Sequence, residues 1–144
     1  MSQYFSVGDE TLWNPSNGAS RMFLHQVAVF EVELDVTSGL GPMEADECQV
    51  DPAAFAAFTD ALLAWHRKTH HAVILALSEG FVATVLALAG RAGAEVRWTP
   101  PEPDPGEGLR DVQAGPAVPA AVDDEAWRAG LRAKSRELDR FMAR

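Results

Sequence analysis

The chain of 144 residues is 47% hydrophobic and 23% charged. This composition is sufficient for one buried core and excludes disordered, collagen-like and coiled-coil chains. With 21 acidic and 12 basic side chains, the net charge of −9 repels phosphate backbones and anionic lipid headgroups, so we expect neither nucleic acid nor a membrane as a partner.

The use of cysteine and the character of the N-terminus bear on the cellular compartment. Cys48 is the single cysteine, so the chain forms no internal disulfide and no multi-cysteine metal site. Residues 1–5 lack the basic and apolar regions of a signal peptide. Ser78-Glu79-Gly80 interrupts the longest apolar run, 72–89, and a charge at mid-bilayer is costly. The sequence therefore predicts a cytoplasmic protein.

The N-terminal segment has the pattern of a β-hairpin. Residues 4–13 predict two short strands joined by Gly8-Asp9, a dipeptide suited to a two-residue hairpin turn. The register set by that turn places Phe5 opposite Leu12. Both faces of the hairpin carry apolar side chains, so we expect other elements to cover it.

A helix is predicted to follow the hairpin, from about 17 to 35, because a cap precedes it and the apolar residues keep helical spacing. Its last part, 27–36, is rich in β-branched residues, which leaves a late change to a strand open. Residues 39–50 contain glycine, proline and several acidic groups and predict a loop.

Asp51-Pro52 predicts the start of a second helix, which continues to about His70. The segment 71–93 has two interpretations. We favour one long buried helix, because the segment holds good helix formers and has no glycine or proline before Ser78. The alternative is a strand, a helix capped by Ser78 and a returning strand at 94–98, which would make a β-α-β unit.

The chain changes character near its C-terminus. Alternation at 95–99 predicts a third strand beside the hairpin. Proline and glycine make 100–122 a semi-stiff linker, and Asp123-Asp124 caps a last helix. The fold class predicted is therefore helix-rich α+β, with a globular domain at 1–99, the linker, and an amphipathic helix at 123–144.

The last helix carries an apolar stripe and a charge opposite to that of the body. Residues 125–144 hold six basic and three acidic groups, a net charge of +3, and the remaining residues therefore carry −12. Such a helix can dock on its own body, cross to a second copy, or bind an acidic partner. The stripe, which we regard as a candidate binding surface, consists of Trp127, Leu131, Leu138, Phe141 and Met142.

His66 and His70 are the first candidate for chemistry. They lie four residues apart at the end of the second predicted helix, a spacing that helical metal sites use. The alternative is that they complement the helix dipole and its last carbonyl groups. No acidic residue stands between them, and Arg67 and Lys68 repel a cation, so we expect no tight metal site.

The acidic loop holds the second group of candidates. Clustered carboxylates can bind a hard cation or share a proton, but this loop lacks the ligand pattern of a calcium loop. A nucleophilic cysteine needs a histidine nearby, and neighbouring acids oppose ionisation of the thiol. The alternative is a solvated loop with an inward cysteine. The candidate binding residues are Glu44, Asp46, Glu47 and Cys48.

Ser78-Glu79-Gly80-Phe81 is the third candidate, because a buried glutamate must be paired or protonated. The simpler interpretation is a helix cap. The sequence has no phosphate-binding glycine loop, nucleophile elbow or dinucleotide fingerprint. We therefore predict no catalytic residue and no cofactor.

Several short motifs resemble a family of small uncharacterised proteins from high-GC bacteria, over residues 1 to about 98. The resemblance implies an intracellular bacterial protein and carries over no catalytic or binding residue. The motifs are Tyr4-Phe5 with Val7, Gly8-Asp9, Leu12 to Asn17, Gly41 to Glu44, Asp46 to Cys48, and Ser78 to Phe81.

Two classes of function remain open, beside a third interpretation, a structural homodimer sealed by exchanged C-terminal helices. The first is a cytosolic module that binds a protein partner or a second copy, as immunity proteins and antitoxins do, because an acidic body suits a basic target and the last helix adds a contact. The second is a small enzyme or ligand-binding protein with a pocket near the acidic Cys48 loop. The second class needs a histidine within hydrogen-bonding distance of Cys48 or of that loop.

Overall fold

The computed structural model describes residues 1–98 and 124–144 and confirms the helix-rich α+β fold. The described residues form one three-stranded sheet and four helices. The predicted linker at 100–122 lies outside the described residues. The strands are β1 (Tyr4–Val7), β2 (Glu10–Trp13) and β3 (Glu47–Gln49), and the helices are α1 (Asn17–Leu34), α2 (Pro52–Lys68), α3 (Ala72–Arg91) and α4 (Asp124–Asp139).

The predicted hairpin forms, but its register differs from the prediction. The pairs next to the turn follow a two-residue loop, with Val7 opposite Glu10. A β-bulge between Phe5 and Ser6 then places Phe5 opposite Trp13, where we had predicted Leu12. The shift stacks the rings of Phe5 and Trp13, with 5.3 Å between their centroids, while Leu12 enters the core. A bulge adds one residue to one strand and so changes every pair beyond it.

The third strand comes from the acidic loop and not from residues 95–99. β3 pairs in parallel with β1, which gives the strand order β2-β1-β3. Residues 95–98 are irregular, and Thr99 lies outside the described residues. The carboxylate of Asp60 on α2 accepts hydrogen bonds from the backbone N–H groups of Arg97 and Trp98, so a side chain satisfies donors that a strand would have used.

The helix boundaries follow from local caps. Ser16 caps α1 by accepting from the N–H of Ala19, and α1 continues to Leu34, so the alternative of a late strand at 27–36 is wrong. Asp35 then adopts a left-handed conformation, with φ of 51°, and ends the helix. Asp51 caps α2 by accepting from two backbone N–H groups, and Pro52 follows at the first helical position.

The ambiguous segment is one continuous helix, so the alternative β-α-β unit is wrong. The ring Nδ1 of His71 accepts from the N–H of Ile74 at 3.4 Å and caps α3. Ser78 lies inside α3 and donates to the carbonyl of Ile74, so it is not the helix cap that we predicted. Glu79 is exposed, which removes the reason to treat it as a buried carboxylate.

The sheet and all four helices contribute to one core. Phe5 lies at its centre, and Phe23 meets it edge to face at 5.6 Å. α4 packs along α3 and adds Leu131, while Met142 is buried just beyond α4. The large apolar side chains that are essentially inaccessible include Phe5, Leu12, Cys48, Phe55, Phe58, Leu62, Leu63, Val82, Val85 and Leu88. Burial of these apolar groups supplies the main free energy of folding.

Gly39 positions the segment between α1 and β3 against α2. Its φ is +76°, and a Cβ there would lie 2.6 Å from the Cβ of Ala54. Its carbonyl also accepts from the N–H of Asp51, the cap of α2. Only glycine combines this conformation with such a close approach, so Gly39 sets where β3 and α2 meet.

Candidate functional site

His66 and Trp127 form a direct contact between α2 and α4. The indole Nε1–H of Trp127 donates to Nδ1 of His66 at 3.1 Å, and the two rings stack with centroids 6.1 Å apart. His66 is only 5% exposed, and its Nε2 has no hydrogen-bond partner among the described residues. Burial lowers the pKa of His66, which favours the neutral imidazole, whose unprotonated Nδ1 can accept this hydrogen bond.

His70 does not join His66, although we predicted both near the end of one helix face. α2 ends at Lys68, and Thr69 caps it with its N–H directed to Trp65 and His66 carbonyls. His70 therefore lies beyond the helix and is exposed. Among residues 1–98 and 124–144, no group of three or more histidine, cysteine, aspartate or glutamate side chains could hold a metal ion.

Three further tryptophan and arginine contacts lie along the seam between α4 and the rest of the protein, beside the contact of His66 with Trp127. The ring of Trp98 meets that of Trp127 edge to face at 5.7 Å. The guanidinium of Arg132 lies over Trp98 at 4.8 Å, and that of Arg67 lies over Trp127 at 5.7 Å. Aromatic pairs and cation–π contacts of this kind stabilise a seam beyond simple burial. The position of α4 is thus fixed by specific geometry at its N-terminal half.

Arg91 fixes the other end of α4, a role that no pattern in the sequence predicts. Its Nε donates to the carboxylate of Asp139 at 2.6 Å and its Nη1 to the carbonyl of Leu12 at 2.6 Å. Its Nη2 donates to the carbonyls of Asp139 and Met142, each at 2.9 Å. With its side chain 10% exposed, Arg91 joins β2, α3 and the end of α4 in one polar network.

The ion pairs across this seam differ from the expected attraction between a basic helix and an acidic body. The body supplies the cation in two of them, Arg67 with Asp124 and Arg91 with Asp139. Arg144 with Glu10, at 3.8 Å, is the described pair that follows the expectation. Local geometry at the two ends of α4 therefore decides the pairing, and net charge does not.

The apolar stripe of the C-terminal helix is only partly covered. Leu131 is 3% and Met142 7% exposed, and Trp127 and Leu138 are half-buried. Phe141 is 80% exposed, because α4 ends at Asp139 and the following turn directs neighbouring residues to opposite sides. The stripe thus places Trp127, Leu131 and Leu138 on the body and leaves Phe141 in solvent.

The acidic loop places Cys48 inside the protein and its carboxylates outside. Cys48 is fully buried on β3, and its thiol donates to the carbonyl of Gly41 at 3.3 Å. Burial raises the pKa of Cys48 to about 11. The main cause is therefore desolvation, and not the neighbouring acidic residues that the sequence suggested. Glu44 and Glu47 are exposed, and Asp46 is half-buried. No histidine is among the hydrogen-bond partners of the thiol.

An open apolar groove of about 310 Å³ lies between α1, α2 and α3. Its floor is aromatic, since Phe30 stacks on Phe81 at 4.9 Å and meets Trp65 edge to face at 4.9 Å. Gln26, Glu33 and Ser78 supply its polar groups. The apolar lining consists of Val29, Phe30, Trp65, Ile74, Leu77 and Phe81. We call this feature the α1/α3 groove.

The rim of the α1/α3 groove is unusually apolar for a protein surface. Val29 is 64% and Leu77 72% exposed, and Val32 and Val73, which belong to the same two helices but do not line the groove, are 84% and 58% exposed. Glu33 is exposed and has no cation partner among the described residues. Contiguous apolar surface with a polar edge marks sites of interaction. Sequence reasoning missed this groove because its residues come from three helices.

A second cleft, of about 680 Å³, lies between α2 and residues 93–97. Small side chains such as Ala53 and Ala57 line it, with Asp60, Glu95 and Arg97 at its polar edge. The carboxylate of Asp60 is already engaged by backbone N–H groups. Cys48 lines neither the cleft nor the α1/α3 groove.

α3 is also long and apolar enough to cross a membrane, judged by length and composition alone. Within the described residues it is the one helix with this property, and 44% of it is buried in the protein. The core helix of a globular protein meets the same criteria. Its inner half supplies Val82, Val85 and Leu88 to the core, whereas its first two turns form one wall of the α1/α3 groove.

The fold and these surfaces define a small, helix-rich α+β protein with an apolar groove on one side. The chain matches a family of unknown function, DUF6086, over residues 1–144, and it belongs to that family. The match includes α4 as well as the N-terminal part that carried the resemblance in the sequence. A search of curated proteins and a search of solved structures each gave no match.

Proposed function

We propose that this protein is a cytosolic interaction module, which acts by binding a protein partner in the manner of an immunity protein or an antitoxin. The observation that carries the proposal is the α1/α3 groove, an open apolar surface with an aromatic floor. The single buried thiol, Cys48, needs no oxidising compartment, which agrees with a cytosolic location.

The chemistry of the groove supports a protein segment as its ligand. Exposed Val29 and Leu77 stand on opposite walls, so an apolar side chain entering between them removes surface from water on both sides. Burial of one large apolar side chain contributes roughly 1.5 to 3 kcal/mol. The rings of Phe30, Trp65 and Phe81 favour an aromatic or leucine anchor, as in grooves that bind amphipathic segments.

Charge selects among such segments. Glu33 lines the groove and Glu79 lies on the exposed side of α3 beside Ser78. Neither has a cation partner among the described residues, and residues 1–124 carry a net charge of −12. An apolar segment with lysine or arginine beside its anchors therefore associates faster than an acidic one. A basic target is also what an acidic immunity protein or antitoxin covers.

The test uses two synthetic helical peptides with the same leucine face, one with lysines and the other with glutamates on the polar face. We expect the lysine peptide to bind at least about tenfold more tightly, as measured by calorimetry. Leu77→Asp should abolish binding. Met22→Asp is the matched control, because Met22 is a 63% exposed residue of α1 that does not line the groove. Equal affinity of the two peptides, or binding that survives Leu77→Asp, would contradict the proposal.

A ligand-binding protein or small enzyme is the second candidate, and the cleft between α2 and residues 93–97 favours it. The cleft is within the size range of small-molecule sites. The acidic Cys48 loop gives this function less support than we expected, because the thiol is buried and its pKa is raised. Ligands that raise the thermal midpoint of the wild type but not of an Ala57→Trp variant, which fills the cleft, would support this function.

A further inference from the structure

Two surface features remain unmatched among the residues that the structure describes, 1–98 and 124–144. The first is the α1/α3 groove, apolar and edged by Glu33. The second is Phe141, which is 80% exposed and stands next to Arg140, an exposed residue without an ion pair in the described part of the chain. The groove lacks an apolar, cationic ligand, and Phe141 with Arg140 provides an aromatic, cationic group.

Phe141 is presented on a fixed turn. On one side the backbone of Asp139 accepts a hydrogen bond from Arg91, and on the other side the carbonyl of Met142 does so. The carbonyl of Ala143 also accepts from the N–H of Asn14 at 2.8 Å. Because the backbone is already ordered, binding through Phe141 loses little conformational entropy.

One chain cannot bring the two features together. Leu77 in the groove and Arg91 beside the Phe141 turn are separated by 14 residues of α3, which is about 21 Å along a helix. The turn is held at the far end of α3 by Arg91. A second chain must therefore supply either Phe141 or the groove.

We propose that the α1/α3 groove of one copy receives Phe141 of a second copy, with Arg140 facing Glu33. The partner in this inference is the chain itself, and it rests on the proposed function of the same groove. Two copies of the groove facing each other would oppose Glu33 to Glu33, and like charges disfavour that arrangement. Because each copy carries both Phe141 and the groove at different places, the contact is head-to-tail. The rotation that relates neighbouring copies decides whether the assembly closes into a ring or extends into a filament.

Sedimentation velocity of the full chain over a concentration series tests this inference. We expect reversible association in the micromolar range, because one aromatic side chain buries a small area. Salt should weaken the association, because it screens the attraction between Arg140 and Glu33. Phe141→Ser and Leu77→Ser should each weaken association at least about tenfold. Met22→Ser is the matched control and should leave association unchanged. Circular dichroism checks that each variant is folded.

A charge exchange tests the pairing itself. Glu33→Arg and Arg140→Glu should each weaken association, and the two together should restore it. Arg136→Glu, at an exposed position on α4, is the control for the change of charge and should have no such effect. Failure of the double variant to recover would overturn the pairing, even if association remains.

The outcomes separate this inference from the proposed function. A protein that stays monomeric at every concentration but binds the lysine peptide contradicts self-association and leaves the interaction module intact. A protein that does neither contradicts both. Binding to neutral phosphatidylcholine vesicles that Leu77→Ser abolishes, without self-association, would assign the groove to a membrane and overturn the inference.

Discussion

The two ends of α3 differ in what covers them. At the C-terminal end, Arg91 makes four hydrogen bonds to β2 and to the end of α4, and Leu88 is completely buried. At the N-terminal end, Val73 and Leu77 are 58% and 72% exposed, although this half of the helix is equally apolar in sequence. The same composition therefore serves the core at one end and a free surface at the other.

The stability of the fold therefore depends mainly on the C-terminal half of α3. α4 contacts α3 through the buried Leu131 and through Arg91, so removal of those contacts exposes core residues. Among the described residues, the first two turns of α3 have no such cover, and Val73 and Leu77 there are 58% and 72% exposed. Apolar residues that the fold leaves in water cost solubility without adding stability, which is why we assign that half to binding.

The largest contrast comes from one substitution made at both ends. Leu88→Ala removes a fully buried side chain and should lower the free energy of unfolding by about 2 to 5 kcal/mol. Leu77→Ala removes a side chain that is 72% exposed and should change it by less than about 0.5 kcal/mol. Urea denaturation of both variants at low protein concentration measures the difference. Similar losses at the two positions would show that the groove is closed in solution.

Arg91→Ala should produce the next largest effect. It leaves the carbonyls of Leu12, Asp139 and Met142 without their donor, and loss of such a partly buried network costs about 3 kcal/mol. The same substitution at exposed Arg136 is the control, with an expected change within about 0.5 kcal/mol. Thermal unfolding followed by circular dichroism would distinguish them, and an equal, small effect of both would refute the role of Arg91.

Substitutions of Trp127 test the contacts at the N-terminal end of α4. Trp127→Ala removes the ring contacts with Trp98 and His66 and should cost about 2 kcal/mol, since the side chain is half-buried. Trp127→Phe keeps a ring but loses the hydrogen bond to His66, which should cost about 1 kcal/mol. Chemical denaturation measures both. Identical stabilities of the two variants would mean that the hydrogen bond alone matters.

The pH dependence of stability should report His66. Because burial lowers the pKa of His66 below 6.5 in the folded protein, the unfolded chain binds more protons at mildly acidic pH. The free energy of unfolding should therefore fall as the pH drops below about 6.5, by at most about 1.4 kcal/mol per pH unit from this group. Above that pH, the contribution of neutral His66 to the free energy of unfolding is fully retained. His66→Gln should reduce the slope, whereas His70→Gln, at an exposed position, should leave that part unchanged.

The helices could be predicted closely because their signals are local. Asp51 was predicted to open the second helix and caps it in the structure, and α1 ends within one residue of the predicted position. The third strand could not be predicted. β3 is three residues long, too short for a period of two to be visible, and it follows Ala45 and Asp46, both with positive φ. Residues 95–98 show the alternation, yet Asp60 takes their N–H groups.

The candidate sites depend on contacts between distant parts of the chain, which a single sequence does not specify. His66 and Trp127 were each candidates, but nothing in the pattern joins residues that are 61 positions apart. Arg91 follows an apolar helix and so has the pattern of an ordinary dipole partner. The α1/α3 groove needs the relative placement of three helices. Composition predicted an acidic body and a basic helix, but not which charges would meet.

The parallel pairing of β1 with β3 has a consequence for the order of folding. The hairpin of β1 and β2 can form from local contacts, whereas β3 is separated from β1 in the chain by β2 and the whole of α1. Contacts with such separation slow folding, so we expect β3 to join late. Cys48 lies on β3 and is sealed by that pairing. The Cys48 thiol can therefore serve as a probe of refolding, because its protection from a pulse of alkylating reagent reports when β3 has paired with β1.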